Sequence, residues 1–106
     1  MDENGMEKSP ITVPIDEDII DLIPRYIENR WKDIRTIEVS LESGDYETVN
    51  TLAHSMKGSG GGYGLDQVTA IGSGIEEASK AMDPDEIRSW LDKLADFLER
   101  VKVIPE

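Results

Sequence analysis

The sequence predicts an all-α protein: an up-down antiparallel four-helix bundle with a short additional helix at its N-terminus. Three observations predict it. Apolar residues recur at spacings of three and four from Pro14 to Val101. The periodic segments are joined by connections as short as "SGD" at 43–45 and "MDPDE" at 82–86. No strand pattern or hairpin signal interrupts them.

Each element follows from its residues. Residues 1–12 lack apolar periodicity and are expected to form a flexible tail ahead of a helical domain spanning 13–104. "PIDEDIIDLI" opens with acidic residues suited to a helix N-terminus and carries Ile15, Ile19, Ile20 and Ile23, which predicts the short extra helix. Pro24 bends or restarts it. A long helix follows to about residue 43, with Ile27, Ile34, Ile37 and Leu41 as its stripe and Tyr26 and Trp31 at the margins. Gly44 suits the left-handed position that ends this helix, and Asp45 the N-cap of the next.

The helix from Tyr46 places Val49, Leu52, Ala53, Met56, Gly60 and Tyr63 on one face. The next, over 65–82, groups Val68, Ile71, Ile75, Ala78 and Met82. Asp83 as N-cap, Pro84 in the first turn and Glu86 completing a capping box start the last helix. Its stripe is Ile87, Leu91, Leu94, Leu98 and Val101, beside Trp90 and Phe97. Those aromatic residues read as core and core margin. Gly60, Gly72 and Gly74 read as sites of close helix packing.

Composition narrows the function. The chain has 106 residues, enough for one domain with a modest core. It contains no cysteine, which removes disulfides, thiolate nucleophiles and Cys-based zinc sites and suits a cytoplasmic setting. No apolar run reaches membrane-spanning length. With 23 acidic and 11 basic residues the formal charge is −12, which argues against nucleic acid or an anionic membrane as partner.

One stretch conflicts with the helical pattern. "HSMKGSGGGYG", residues 54–64, packs glycines behind the chain's only histidine. At about 100° per residue, His54 lies well round from the core stripe, toward solvent. Glu47 and Asn50 precede it on that side, and Gly58 and Gly61 follow one and two turns on. Lys57 sits between this face and the core edge. An interior glycine costs roughly 1 kcal/mol of helix stability against alanine, so stability alone does not explain Gly58, Gly61 and Gly62. Glycines beyond a histidine leave the imidazole uncovered for another protein to approach.

Several chemistries are excluded. One histidine without cysteine does not make a zinc site. "MDPDEIRSWLD" lacks the glycine and ligand spacing of a calcium loop. In "KGSGGGYG" the lysine precedes the glycines and no strand leads in, unlike a phosphate-binding loop. Ser55 and Ser59 have no constellation to activate them, and adjacent residues such as His54 and Ser55 face apart on a helix. Histidine as a nucleophile in its own right remains. A neutral, exposed imidazole keeps one ring nitrogen free to attack phosphorus, and Lys57 can offset the phosphoryl charge.

"AHSMKGSGGGYGL" resembles the signature of histidine-containing phosphotransfer (HPt) domains, roughly H-x-x-K-G-[SA]-x-x-x-[LFY]-G. The resemblance extends from about Pro14 to Val101. It departs from the family in its glycines at 60–62, where alanine, serine or asparagine is common. It implies that His54 accepts the phosphoryl group, that Lys57 supports its charge, and that Gly58 leaves space. By offset it puts Glu76 against the other imidazole nitrogen; the alternative reading of Glu76 is an ordinary exposed acid. The implied partners are receiver domains of response regulators, covering Gly58, Gly61, Asn50, Glu47 and Thr51, and a hybrid sensor histidine kinase is a compatible source.

The implied role is that of a monomeric phosphocarrier in a two-component phosphorelay, not an enzyme with its own nucleotide site. No cofactor is expected, with Mg2+ residing on the receiver. The alternative is a helical module that docks to receivers without covalent chemistry. Loss of His54 or Lys57 would mark that alternative, and both are present.

Overall fold

The computed structural model describes residues 8–106. Four helices make the bundle: α1 (Ile23–Glu42), α2 (Tyr46–Gly60), α3 (Asp66–Lys80) and α4 (Pro84–Arg100). Two short strands, β1 (Ile11–Ile15) and β2 (Val101–Pro105), pair in parallel with Ile11 opposite Val101 and Ile15 opposite Pro105. This corrects the expectation of a strand-free chain. It also corrects the tail boundary at residue 12, since Ile11 and Thr12 are paired; residues 1–7 of the expected tail lie outside the described residues.

The expected extra helix is a single 3-10 turn over Ile20–Leu22 running directly into α1. The cause lies in Asp16. Its carboxylate accepts from the Asp18 amide at 2.8 Å and its carbonyl from the Ile19 amide at 3.0 Å, so the chain turns out of β1 instead of starting a helix. Pro24 then stands in the first turn of α1, where its missing N–H has no helical partner to lose.

Period-2 burial explains the strands. Ile11, Val13 and Ile15 turn toward the bundle while Thr12 and Pro14 face solvent. Val101 and Val103 turn inward likewise, so Val101 belongs to β2 and not to the α4 stripe. Ile15 is fully buried, and its side chain lies where a Cβ on Gly64 would stand, 3.0 Å from Ile15 Cδ1. The sheet thus pins both ends of the described chain beside the turn that follows α2.

Caps fall where the acidic residues suggest. Asp45 accepts from the Thr48 amide at 3.0 Å and Asp83 from the Glu86 amide at 3.1 Å. The capping box is not closed by Glu86, because the Asp83 amide bonds the Ala78 carbonyl at 3.0 Å. That bond belongs to the Schellman motif ending α3, which has Met82 in the left-handed region at φ 54°. Met82 therefore projects outward, 65% exposed, and leaves the core face predicted for it. The same motif ends α1, with Gly44 at φ 71°.

The core is built from Ile23, Ile34 and Ile37 of α1, Val49, Ala53 and Met56 of α2, Val68 and Ile75 of α3, and Ile87, Leu94 and Phe97 of α4. On α1 the buried face rotates toward Tyr26 and leaves Ile27 half-buried. Tyr26 stacks on Tyr63 at 4.3 Å between ring centroids and shares a 2.7 Å hydrogen bond with Ser59 Oγ. Tyr63 itself lies in a 3-10 turn, Gly61–Tyr63, beyond the end of α2. No helix is long and apolar enough to cross a membrane among the described residues.

Candidate functional site

The site is set by how closely α2 and α3 meet. A Cβ on Gly72 would stand 2.6 Å from the Lys57 amide nitrogen and 2.9 Å from the Ala53 carbonyl. One on Gly60 would stand 2.6 Å from the Thr69 amide nitrogen. Glycine at both positions lets the two backbones touch, as the sequence predicts. Gly74 admits the Trp90 ring in the same way.

This closeness brings Glu76 of α3 to the histidine of α2. His54 Nδ1 lies 2.8 Å from Glu76 Oε2, and Lys57 Nζ donates to Glu76 Oε1 at 3.3 Å. The three side chains differ sharply in exposure: His54 is 74% exposed, Lys57 46% and Glu76 only 8%. Glu76 is therefore not the ordinary exposed acid of the alternative reading. It is a carboxylate sunk in the α2–α3 seam with both oxygens engaged from the solvent side.

The hydrogen bond from His54, then that from Lys57, hold its carboxyl below the ordinary carboxylate range, against the opposing effect of desolvation. An ionised carboxylate only accepts, so the proton of the neutral imidazole resides on Nδ1 and the Nε2 lone pair is free. No hydrogen-bond partner of Nε2 is found among the described residues.

Around this triad the α2 face is low. A Cβ on Gly58 or Gly62 would meet nothing within 4 Å, and one on Gly61 only ordinary contacts at 3.7 Å. Glu47 and Thr51 are exposed and Asn50 is half-buried, all on the His54 side of the helix. The expected residues thus share one surface. The cleft of about 320 Å3 lined by Ile11, Gln67, Phe97 and Arg100 involves none of them.

Sequence reasoning missed two features. One is the Lys57–Glu76 ion pair, whose signal was the alignment of Lys57 and His54 at i and i+3. The other is Thr69, whose hydroxyl donates to the Lys57 carbonyl at 3.0 Å and accepts from the Gly61 amide at 2.8 Å. Its signal was the i, i+3, i+7 spacing of Thr69, Gly72 and Glu76 on one face of α3.

Comparisons with curated proteins and with solved structures returned no match. The family model of the Hpt domain matches residues 17–103. With so much of the 106 residues covered, the chain belongs to the Hpt domain family, the histidine phosphotransfer modules of phosphorelays.

Proposed function

We propose that His54 accepts a phosphoryl group on Nε2 from the aspartyl phosphate of a receiver domain and passes it to the aspartate of another. The observation that carries this reading is the 2.8 Å hydrogen bond between Nδ1 of an exposed histidine and a buried carboxylate.

The Nε2 lone pair attacks phosphorus; the N–P bond forms as the acyl-phosphate P–O bond breaks, and the electron pair leaves with the receiver carboxylate. No proton moves in this step. Nδ1 keeps its hydrogen, the ring becomes cationic, and Glu76 stands opposite the new charge. Lys57, tethered beside it, offsets charge on the phosphoryl oxygens. The return step reverses each bond change on a second receiver.

Gly58 and Gly61 keep the face low enough for the receiver to dock, with Glu47, Asn50 and Thr51 as flanking contacts. The metal ion comes with the receiver, and one copy of the chain in the cytoplasm suffices. All of the chemistry is assigned to residues of α2 and α3.

Incubation with labelled phospho-receivers tests this reading. The wild-type chain is expected to take up label that is acid-labile and base-stable, as a phosphoramidate is. The His54→Gln variant is expected to take up none. Label persisting on that variant would overturn the assignment.

A further inference from the structure

By composition the last turn of α2 is the weakest helix in the bundle. Gly58 and Gly60 lie in it and Gly61 ends it, and glycine is the poorest helix former after proline. Yet Lys57, which holds Glu76, and Gly58, on the docking face, both depend on this turn. A side chain from outside secures it. Thr69 Oγ1 accepts from the Gly61 amide at 2.8 Å and donates to the Lys57 carbonyl at 3.0 Å. That amide and that carbonyl are the two groups facing each other across the final turn.

The approach is specific. A Cβ on Gly60 would stand 2.7 Å from Thr69 Oγ1, so the hydroxyl reaches the turn only past a glycine. Thr69, Gly72 and Glu76 follow one another along α3 and meet α2 in order. Thr69 bridges Lys57 and Gly61, Gly72 lies against Ala53 and Lys57, and Glu76 reaches His54 and Lys57.

We propose that Thr69 is a positioning residue for the transfer site: its hydroxyl fixes the glycine-rich turn of α2 and so keeps Lys57 and the docking face in register with Glu76 and His54. The inference rests on the phosphotransfer reading above. In this role Thr69 acts through the α2 turn, not by contact with the phosphoryl group or the receiver. Without its hydroxyl, a turn built largely of glycine frays, and the Lys57 ammonium leaves Glu76. Valine keeps the shape of threonine and removes the bridge, while serine keeps the bridge.

Wild type, Thr69→Val and Thr69→Ser are compared as full chains. Transfer from a phosphorylated receiver is followed at rising receiver concentration. Amide exchange and the His54 Nδ1–H resonance are recorded on the same proteins. At saturating receiver, Thr69→Val is expected to transfer about tenfold more slowly, with half-saturation moved to higher receiver concentration as the docking face loses register. Its Gly61 amide exchanges about tenfold faster while Val49 and Ala53 keep their rates. Its Nδ1–H resonance broadens, and serine restores all three readouts.

Wild-type transfer by Thr69→Val overturns the proposal, as does a serine variant as slow as valine. Faster exchange at Val49 and Ala53 also overturns it, because the loss is then global. If the wild type accepts no phosphoryl group, the phosphotransfer reading falls by itself. Gly61 exchange and the Nδ1–H signal then decide, and unchanged protection in Thr69→Val overturns the clamp.

Discussion

At the scale of single residues, Gly58 separates folding from function. Open space surrounds the position a Cβ would take there, so the fold gains from a side chain. Gly58→Ala is expected to stabilise by about 0.4–1 kcal/mol through helix propensity and unfolded-state entropy. Gly58→Gln is expected to melt no lower than the parent and to transfer at least about tenfold more slowly, because its side chain would stand on the proposed docking face. A melting curve and a transfer time course on one preparation read both effects. Normal transfer by Gly58→Gln would remove the glycine from the docking surface.

Glu76 is the reverse case, a buried charge whose removal affects both rate and acid stability. Glu76→Gln keeps an oxygen for Nδ1–H and loses the charge opposite the imidazolium, and transfer is expected to slow by roughly ten- to a hundredfold. The carboxyl has a folded pKa below its ordinary 4.5. Its contribution to stability is thus complete above about pH 4.5 and is lost as pH falls through the lower folded value. Asp45, bonded by Thr48, and Asp96, bonded by Lys8 and Arg100, are lowered too, so the wild type loses stability in acid for several reasons. The difference between wild type and Glu76→Gln isolates Glu76. Melting temperatures from pH 6 to pH 3 are expected to fall less steeply in the variant, and parallel profiles would contradict the buried pair.

The His54 surface was legible because positions on one helix face need only local geometry. Contacts between helices were less so. Glu76 was reached by family offset, and its burial only by seeing how far Gly72 lets α3 approach. Thr69 was hidden because a helical hydroxyl ordinarily bonds its own preceding turn, as Thr36 does to the Lys32 carbonyl and Ser40 to the Thr36 carbonyl. Which hydroxyl reaches across is a property of packing.

At the scale of elements, helix starts were legible and helix ends less so. Asp45 and Asp83 cap as their side-chain chemistry dictates. The end of α3 carries no glycine, so the apolar spacing suggested that Met82 continued the stripe. Met82 instead takes the left-handed position that Gly44 fills at the end of α1. A left-handed conformation costs an ordinary residue about 1–2 kcal/mol, partly offset for glycine by its greater unfolded entropy. Met82→Gly is expected to stabilise the fold by about 0.5–1 kcal/mol with unchanged transfer. A lower melting temperature would show that the methionine makes contacts that outweigh its strain.

At the scale of the whole molecule, β1 and β2 lay beyond local reading. Each is five residues long, and they pair from opposite ends of the chain. Val101 also continues the spacing of Leu94 and Leu98, so the helical pattern runs on into β2 without a visible break. The sheet seats Ile15 against Gly64 and thereby braces the turn that follows α2, just beyond the His54 surface.

In the proposed reaction, assembly of the bundle selects the imidazole nitrogen that reacts, because the α2–α3 approach brings Glu76 to Nδ1. The direct measurement is the phosphohistidine isomer formed on the labelled protein, read by phosphorus–nitrogen coupling in NMR of the 15N-labelled chain. The expected product carries phosphorus on Nε2 of His54, with Nδ1 still protonated toward Glu76. Phosphorus on Nδ1, or phosphorylation of any residue other than His54, would contradict the account.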